Sequence, residues 1–246
     1  MSTASGNNQR KIKVIYQDDF LLVVNKPGGL VVLRTLTCHE KTLQDWVDDN
    51  FQFSVFPKKG SLRDNFQFAS DFARRAGIVH RLDKDTWGLI LIAKNKKIFN
   101  QLQQQFKERN VEKTYWALVR GKLLGEGKVV APIGRLARDR LKFGVVVKGK
   151  SAETNYRVIR QLKFCGEGYT LVAVKPKTGR THQIRVHFRY LGHPIFGDSA
   201  YGGKKERGKP MFLIAKKIKF LHPGTGREVS FEVKLPRELA RIIIDV

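Results

Sequence analysis

The sequence is poor in cysteine, in acidic residues and in long apolar runs. Cys38 and Cys165 are the only cysteines among 246 residues, too few for a disulfide framework and not spaced as a CxxC motif. The first ten residues are polar and lack the apolar segment of a secretion signal. No run approaches the roughly 20 apolar residues that a membrane-spanning helix needs. We therefore expect a soluble, reduced and cytoplasmic protein without a membrane anchor.

Two common types of catalytic site lack their signatures. The sequence contains neither an HExxH pair of metal-binding histidines nor the GxSxG turn that carries a catalytic serine. His182 and His187 are five positions apart, and two distant cysteines cannot complete a structural zinc site. We therefore expect no metal and no serine nucleophile, and we interpret the two histidines as structural or RNA-contacting.

One phosphate-binding motif is present but lies in the wrong context. Residues 144–151, GVVVKGKS, match the P-loop pattern letter for letter. A P-loop connects a strand to a helix, whereas the β-branched residues 145–147 favour extended structure and residues 154–158 alternate as a strand does. We therefore expect no nucleotide cofactor at this segment.

Positive charge dominates the composition. Lys and Arg number 47 against 22 Asp and Glu, so the formal net charge is +25, while 41% hydrophobic residues allow a substantial core. Neutralising phosphate is the usual physical use of such an excess, and solubility alone requires far less. The composition therefore predicts nucleic acid as the partner. The loop that carries Arg135 and Arg140 is either solvated or in contact with phosphate, a contact that positions nucleic acid without reading its sequence.

Apolar periodicity predicts a strand-rich α+β domain without regular βαβ alternation. Residues 1–10 are expected to form a disordered leader, and residues 11–246 a single domain in which 51–76 is an irregular insertion or an RNA-facing segment. Residues 30–33 are expected to be extended, and 177–192 fit a strand and a helix equally well. Strands are predicted near residues 12–16, 20–24, 89–93, 114–119, 129–133, 143–147, 154–158, 169–174, 212–214 and 229–233, and helices over 42–50, over 96–108 and after Pro236.

Three polar segments stand out from this pattern: residues 80–83 (HRLD), 113–115 (KTY) and 178–185 (TGRTHQIR). The first lies in a glycine-bounded loop just before an apolar strand, which would fix its side chains in place. If Asp83 is buried it needs a cation such as Arg185. A tyrosine beside that pair could stack on a base and offer a phenol for proton transfer. The residues by themselves indicate an RNA-binding protein that could act on a base.

These segments, in this order, resemble the motifs of the RluA-type family of RNA pseudouridine synthases. The resemblance implies a mixed, mostly antiparallel central sheet with flanking helices, an active site in a basic cleft, and a helix after the loop that carries Arg180. It also implies a cofactor-free isomerase that flips selected uridines out of RNA, ribosomal rather than transfer RNA, and converts them to pseudouridine. The matching stretches are residues 24–30 (VNKPGGL), 77–94, 113–119 (KTYWALV) and 175–197, with further agreement at 132–135 and 152–156.

The resemblance also assigns roles to individual residues. Asp83 matches the catalytic aspartate that acts at C1′ while the glycosidic bond breaks. Tyr115 matches the tyrosine that packs against the base and serves in removing the C5 proton, and Arg185 matches the arginine paired with the carboxylate. Arg81 matches the side chain that takes the place of the flipped base. The remaining candidates for contact with RNA are His80, Arg180 and His182 in the same motifs, together with Arg135 and Arg140 in the basic loop.

Two features depart from the usual family pattern. Trp87 stands where family members carry Ser or Thr, so we expect it either to change the packing under the loop or to contact RNA. No S4-type RNA-binding domain is evident before the first strand, so the catalytic domain is expected to bind RNA itself, as a monomer. The alternative, for which Trp87 is the only support in the sequence, is a non-catalytic RNA-binding or ribosome-assembly protein with the same fold.

Overall fold

The computed structural model describes residues 11–35, 38–51, 70–164, 166–203 and 206–244. The helices in this part of the chain are α1 (Leu43–Asn50), α2 (Asp71–Arg74), α3 (Lys96–Lys107), α4 (Gln183–Tyr190) and α5 (Arg237–Ile244). The strands are β1 (Lys13–Gln17), β2 (Leu21–Lys26), β3 (Trp87–Ala93), β4 (Glu112–Arg120), β5 (Glu126–Val130), β6 (Ile133–Arg135), β7 (Phe143–Val145), β8 (Glu153–Phe164), β9 (Glu167–Pro176), β10 (Leu213–Leu221) and β11 (Glu228–Glu232). No described helix is both long and apolar enough to cross a bilayer.

Nine of the described strands form one mixed sheet in the order β1-β2-β3-β10-β4-β9-β8-β5, with β11 added beside β10. The short contact between β10 and β3 is parallel, at Ile214 with Trp87 and at Ala215 with Gly88. The other pairs are antiparallel. Strands β6 and β7 form a separate hairpin. The predicted mixed, mostly antiparallel sheet with flanking helices is confirmed.

Strand β3 lies between β2 and β10 in the sheet and is buried along all seven residues. Its odd-numbered leucines, Leu89 and Leu91, pack with α3 and α5, and its even-numbered isoleucines, Ile90 and Ile92, pack with α1. Alternate side chains of a strand point to opposite faces, so a strand covered on both faces needs the continuous apolar run seen in the sequence. Helix α4 covers the neighbouring part of the second face, over β4 and β9.

The polar loop that precedes β3 is tied to that strand before it turns away. Residues 77–79 run back along β3, with Val79 N–H donating to Leu91 O and Ala93 N–H donating to Gly77 O. Gly77 has φ +74°, and a Cβ there would lie 2.1 Å from the carbonyl oxygen of Ala93, so only glycine fits. The loop is therefore attached to a rigid element at the point where it presents Asp83.

Trp87 lies in the core under this loop, 4% exposed, in the cluster formed with α3. A Cβ on Gly28 would lie 2.6 Å from the indole ring, so the ring occupies the space that this glycine leaves. Of the two expectations for Trp87, the structure therefore supports a packing role.

Several local predictions are resolved by the backbone. Residues 31–33 form an irregular bend, so the predicted extended segment at 30–33 is wrong; Leu30 and Val31 supply carbonyls to other groups instead of pairing in a sheet. The predicted strand at 129–133 is interrupted at Pro132, between β5 and β6, because proline has no N–H for a sheet ladder. The ambiguous segment 177–192 contains α4.

Residues 144–151 join β7 to β8 through a turn, without the helix that a P-loop requires. The predicted leader at 1–10 and residues 52–69 of the predicted insertion lie outside the described residues, and 71–74 of that insertion are helical.

Candidate active site

Asp83 and Arg185, which are 102 residues apart in sequence, meet at the centre of the site. Arg185 Nη1 donates to Asp83 Oδ2 at 3.1 Å, while its Nε and Nη2 donate to the two oxygens of Asp198 at 2.7 and 2.9 Å. The side chain of Asp198 is fully buried and that of Arg185 is 6% exposed. Burial opposes the charge of Arg185, but the hydrogen bonds and charges of Asp198 and Asp83 outweigh it and raise the Arg185 pKa. One permanent cation is therefore shared between two carboxylates.

His182 occupies the N-cap position of the helix that carries Arg185, without a side-chain capping hydrogen bond and in an unusual backbone conformation. Its φ of 56° and ψ of 20° are left-handed, which is uncommon for a residue with a Cβ. Its Nδ1 lies 2.8 Å from the Tyr201 hydroxyl, and its Nε2 lies 3.9 Å from Asp83 Oδ2, beyond hydrogen-bond distance. The Phe143 N–H already donates to the Tyr201 oxygen. The Tyr201 hydroxyl can still donate its proton to Nδ1, and in that tautomer a neutral His182 carries its own proton on Nε2, the nitrogen 3.9 Å from Asp83 Oδ2.

The pKa of His182 is consistent with this neutral form. Burial lowers it, the nearby Asp83 raises it, and Arg185 lowers it again, with a net shift below the ordinary value. The Arg185 guanidinium also lies 5.0 Å from the centre of the Tyr201 ring, at cation–π distance. Tyr201 therefore contacts both Arg185 and His182.

Tyr115 reaches the same pocket from β4. Asp83 and Tyr115 both line a pocket of about 130 Å³, together with Leu82, Thr86, Ile184 and Leu213. Burial raises the pKa of the Tyr115 phenol, and the negative charge of Asp83 raises it further. At neutral pH the phenol is therefore protonated, and its ring forms part of the wall against which a planar group can pack.

A buried lysine holds the Asp83 loop against the segment at 26–30. The Lys26 ammonium is fully buried and donates to the carbonyls of Pro27, Leu30 and Lys84 at 2.7, 2.9 and 2.8 Å. Gly29 N–H donates to the same Lys84 carbonyl at 2.9 Å. Burial lowers the pKa of Lys26 to about 7, with Asp85 and Asp83 opposing the shift. Lys26 therefore fixes the residue next to Asp83.

His80 holds the beginning of the loop. Its Nε2 accepts the Leu91 N–H at 3.1 Å, and its ring lies 4.8 Å from that of Phe106. Burial, followed by the positive charges of Lys113 and Arg75, lowers the pKa of His80 to about 3. A neutral His80 thus has a structural contact in place, and its predicted contact with RNA stays a prediction.

The other predicted RNA contacts lie around the pocket. Arg81 is exposed and lines its mouth, and Arg180 lines it too while donating through Nε to Ser151 O at 3.0 Å. Arg135 lies on the hairpin of β6 and β7, with its guanidinium 5.1 Å from the centre of the Phe143 ring, which is itself 5.7 Å from the His182 ring. Arg140 is further out on this hairpin, and its carbonyl accepts from Arg135. The structure therefore brings six predicted residues together around one pocket: Asp83, Tyr115, Arg185, Arg81, Arg180 and His182. His80, Arg135 and Arg140 do not line this pocket.

Three residues of this arrangement were not predicted from the sequence: Lys26, Asp198 and Tyr201. Within the described ranges, no three His, Cys, Asp or Glu side chains group as metal ligands. What the site contains is a carboxylate held by a shared arginine, a protonated phenol and a neutral imidazole, which are groups for covalent and proton-transfer chemistry.

Comparison with known sequences identifies the class of protein. A family model described as RNA pseudouridylate synthase matches residues 20–190, more than half of the chain. The ribosomal large subunit pseudouridine synthase D of Nitrosomonas europaea is 37% identical over 94% of this chain and 64% of its own length. That of Pseudomonas aeruginosa is 35% identical over 93% of this chain and 69% of its own length. An uncharacterized RNA pseudouridine synthase of Aquifex aeolicus is 38% identical over 92% of this chain and 70% of its own length. The chain thus spans about two thirds of these relatives.

Solved structures agree with the sequence relatives. Human RNA pseudouridylate synthase domain containing 1 superposes with a TM-score of 0.70 and 27% identity, over 93% of this chain and 86% of that one. Human RNA pseudouridylate synthase domain containing 4 gives a TM-score of 0.68 and 25% identity over 94% and 91%. This chain belongs to the RNA pseudouridylate synthase family of RNA-modifying enzymes, as its motifs predicted.

Proposed function

We propose that this protein isomerises specific uridines of ribosomal RNA to pseudouridine, with Asp83 as the catalytic carboxylate. The observation that carries the proposal is the contact between Asp83 and Arg185 in a pocket that Tyr115 also lines. The preference for ribosomal over transfer RNA rests on relatives whose names contain ribosomal large subunit. The excess of basic residues supports RNA as the substrate, since the chain carries a formal charge of +25.

The reaction is an internal rearrangement and its atoms balance within the nucleotide. The C1′–N1 bond breaks while the Asp83 carboxylate acts at C1′. The freed uracil rotates, a C5–C1′ bond forms, and the proton lost from C5 is balanced by one gained at N1. No electrons are gained or lost, so the rearrangement needs no redox cofactor, and we propose that the enzyme uses no metal and no nucleotide either. Extruding the nucleotide from a stacked helix costs a few kcal/mol, which contacts to RNA must offset.

Arg185 serves this chemistry by holding the carboxylate in place. Its Nη1 donates to Asp83 Oδ2 at 3.1 Å and so sets the direction from which the carboxylate faces the pocket. Asp198 occupies two of the arginine donors, so the guanidinium cannot turn away from the loop. We assign Arg185 a catalytic role, because it contacts the carboxylate of Asp83, and we assign Asp198 the role of positioning Arg185.

Tyr115 has two proposed tasks, and its ionisation decides when each is available. The protonated phenol packs against the uracil ring in the resting site. Its pKa is raised first by burial and then by the charge of Asp83, and the second cause disappears if the carboxylate becomes esterified at C1′. Loss of that charge would make the phenol a better acid–base group at the stage when the C5 proton must leave.

The remaining candidate residues of the site are proposed to contact the RNA. Arg81, exposed at the mouth of the pocket, is proposed to fill the place of the flipped base. Arg180, His182 and His80 are proposed to support or contact the nucleotide, and Arg135 and Arg140 to contact phosphate. We further propose that residues 11–246 act as one catalytic domain, monomeric and cytoplasmic. The buried position of Trp87 gives no support to a non-catalytic RNA-binding protein.

Pseudouridine mapping of RNA from cells that lack this protein tests the substrate assignment. We expect at least one modified position in large-subunit ribosomal RNA to return to uridine, and to be restored by the wild-type gene but not by Asp83→Asn. Loss of pseudouridine only in transfer RNA would overturn the ribosomal substrate. An unchanged map in all cellular RNA would overturn the enzymatic assignment.

A further inference from the structure

The imidazole of His182 stands in the wall of the pocket that holds Asp83. Its Nε2 lies 3.9 Å from Asp83 Oδ2, so the two groups are neighbours without a direct hydrogen bond. Both residues line the same pocket, which measures about 130 Å³. A substrate atom in contact with the carboxylate therefore brings the atoms bonded around it within reach of Nε2.

The loop that carries His182 is held in place by the next residue along the chain. The buried Gln183 amide accepts from Thr178 Oγ1 at 2.7 Å and from Arg180 N–H at 3.0 Å, and it donates to Glu153 O at 2.9 Å. His182 itself has a left-handed backbone with a φ of 56°, which a residue with a Cβ adopts only where its surroundings impose it. Conformations of this kind concentrate at functional sites. The loop thus presents the imidazole ring in one fixed orientation.

Tyr201 determines which nitrogen of the ring carries the proton. Burial raises the pKa of the Tyr201 phenol, so its oxygen is protonated, and that oxygen already accepts from Phe143 N–H at 3.0 Å. The phenol proton has an acceptor in His182 Nδ1, 2.8 Å away. The reverse arrangement, in which Nδ1 donates, would leave a buried phenol proton in need of another partner. The arrangement that satisfies the phenol therefore puts the proton of a neutral His182 on Nε2.

We propose that His182 donates a hydrogen bond from Nε2 to the O2 carbonyl of the uracil while the C1′–N1 bond breaks. The inference rests on the proposed function, which places C1′ of the nucleotide against Asp83. O2 is bonded to the ring carbon next to N1, so it lies beside C1′. The electron pair of the breaking bond passes to N1 and is shared with O2, so an N–H fixed at O2 stabilises the transition state more than the ground state. His182 keeps its proton, so the atom balance of the rearrangement is unchanged, and Tyr201 acts as a positioning residue.

His182→Gly is the variant that tests this role, because glycine adopts a left-handed backbone freely and so should not strain the loop. Tritium release from C5 is followed in single turnovers with a large-subunit ribosomal RNA fragment, alone and with two added imidazoles of equal size. 4-Methylimidazole has an N–H to donate, whereas neutral 1-methylimidazole has none, so both are used at a pH above their pKa values. The control variant is His193→Gly, which removes a histidine outside the pocket whose Nδ1 lies 2.8 Å from Arg120 O.

His182→Gly should release tritium about 10²-fold more slowly than wild type, the effect of removing one donor to a developing charge, while its affinity for the RNA stays unchanged. 4-Methylimidazole should raise that rate at least about tenfold and 1-methylimidazole should not, whereas neither should affect His193→Gly. A His182→Gly protein with the wild-type rate, or equal rescue by the two imidazoles, would overturn the hydrogen bond.

The acceptor is tested by replacing one atom of the substrate. At the mapped position, 2-thiouridine exchanges O2 for a sulfur that accepts hydrogen bonds more weakly. The exchange should slow wild type but should not slow His182→Gly further, because the two changes remove the same contact. Equal slowing of both proteins would overturn O2 as the acceptor.

The tautomer is measured independently of activity by nitrogen NMR of the His182 ring, which should show the proton on Nε2. Tyr201→Phe, which keeps the aromatic ring beside Arg185, should shift the proton towards Nδ1 and lower kcat about tenfold with KM unchanged. A wild-type ring protonated on Nδ1 would overturn the proposal. A ring protonated on Nε2 in a wild type that releases no tritium would uphold the tautomer and overturn the isomerase.

Discussion

Asp198 accepts two of the three hydrogen bonds that Arg185 makes in the site, and Asp83 accepts the third. The fully buried carboxylate therefore sets the direction in which the guanidinium meets the loop. Asp198 also accepts the N–H groups of Ala200 and Tyr201, which fixes it to the turn that carries Tyr201. This turn lies beyond residues 20–190, the part that the family model matches.

Asp198→Asn is predicted to damage both stability and activity, although Asp198 lies behind the arginine. The amide keeps the shape but removes the charge and one acceptor, leaving Arg185 with a single carboxylate. Removing one partner of a buried ion pair costs about 3–5 kcal/mol, and an isosteric amide should cost somewhat less. Thermal or urea unfolding measures the first effect, and tritium release the second.

A substitution on the surface provides the control for Asp198→Asn. Asp49 forms an exposed ion pair with Lys41, so Asp49→Asn should change the free energy of unfolding by less than about 1 kcal/mol and leave kcat unchanged. An Asp198→Asn protein with wild-type kcat would contradict the positioning role of Asp198.

Lys26→Met is predicted to destabilise the protein by several kcal/mol. The methionine fills a similar volume but leaves the carbonyls of Pro27 and Leu30 without the ammonium donor, whereas the Lys84 carbonyl keeps the Gly29 N–H. Each buried group left unsatisfied costs about 1–3 kcal/mol. The matched control is the adjacent loop residue, where Lys84→Met removes only an exposed ion pair with Glu40 and should cost under about 1 kcal/mol. Equal urea midpoints for the two variants would contradict the anchoring role of Lys26.

His80 is predicted to make the fold sensitive to acid. Its pKa is about 3 in the folded protein, lowered by burial, against an ordinary value of 6.5. Below pH 6.5 the unfolded chain binds a proton that the folded protein refuses, so stability falls as pH decreases towards 3. Between pH 6.5 and 4.5 this single group should cost about 2–3 kcal/mol. His80→Gln, which retains an acceptor for Leu91 N–H, should remove that part of the decline.

The comparison that checks His80 is the difference between two pH profiles of unfolding free energy. His182 and His187 also have lowered pKa values, and they contribute equally to wild type and to His80→Gln. The difference between the two profiles therefore isolates His80. Parallel profiles between pH 7 and pH 4.5 would contradict the assignment.

The individual helices and strands of this structure can largely be predicted from the sequence, whereas the pairing of strands distant in sequence cannot. The apolar run of β3 and the amphipathic pattern of α3 were sufficient to predict those elements, because burial on two faces or on one produces a distinct periodicity. The insertion of β10 between β3 and β4 is not predictable from the sequence, because pairing between strands more than ninety residues apart leaves no local pattern.

The site was predictable to the same extent. Asp83, Tyr115 and Arg185 were nominated from polar segments and a family resemblance, and the structure places them together. Lys26 was missed because lysine is almost always exposed, and no local pattern shows that its ammonium meets three carbonyls. Asp198 was missed although it directly follows the arginine motif. The need of a buried guanidinium for a second acceptor was the signal that could have found it.

Tritium release from RNA labelled at C5 of uridine tests the central claim most directly, because a new C5–C1′ bond displaces that atom. Wild type should release tritium from large-subunit ribosomal RNA. Asp83→Asn should bind the same RNA with wild-type affinity but release tritium at least about 10³-fold more slowly, as expected when a catalytic nucleophile is removed. Release by Asp83→Asn at the wild-type rate would contradict the assignment of Asp83, and no release by wild type from any cellular RNA would contradict the enzyme.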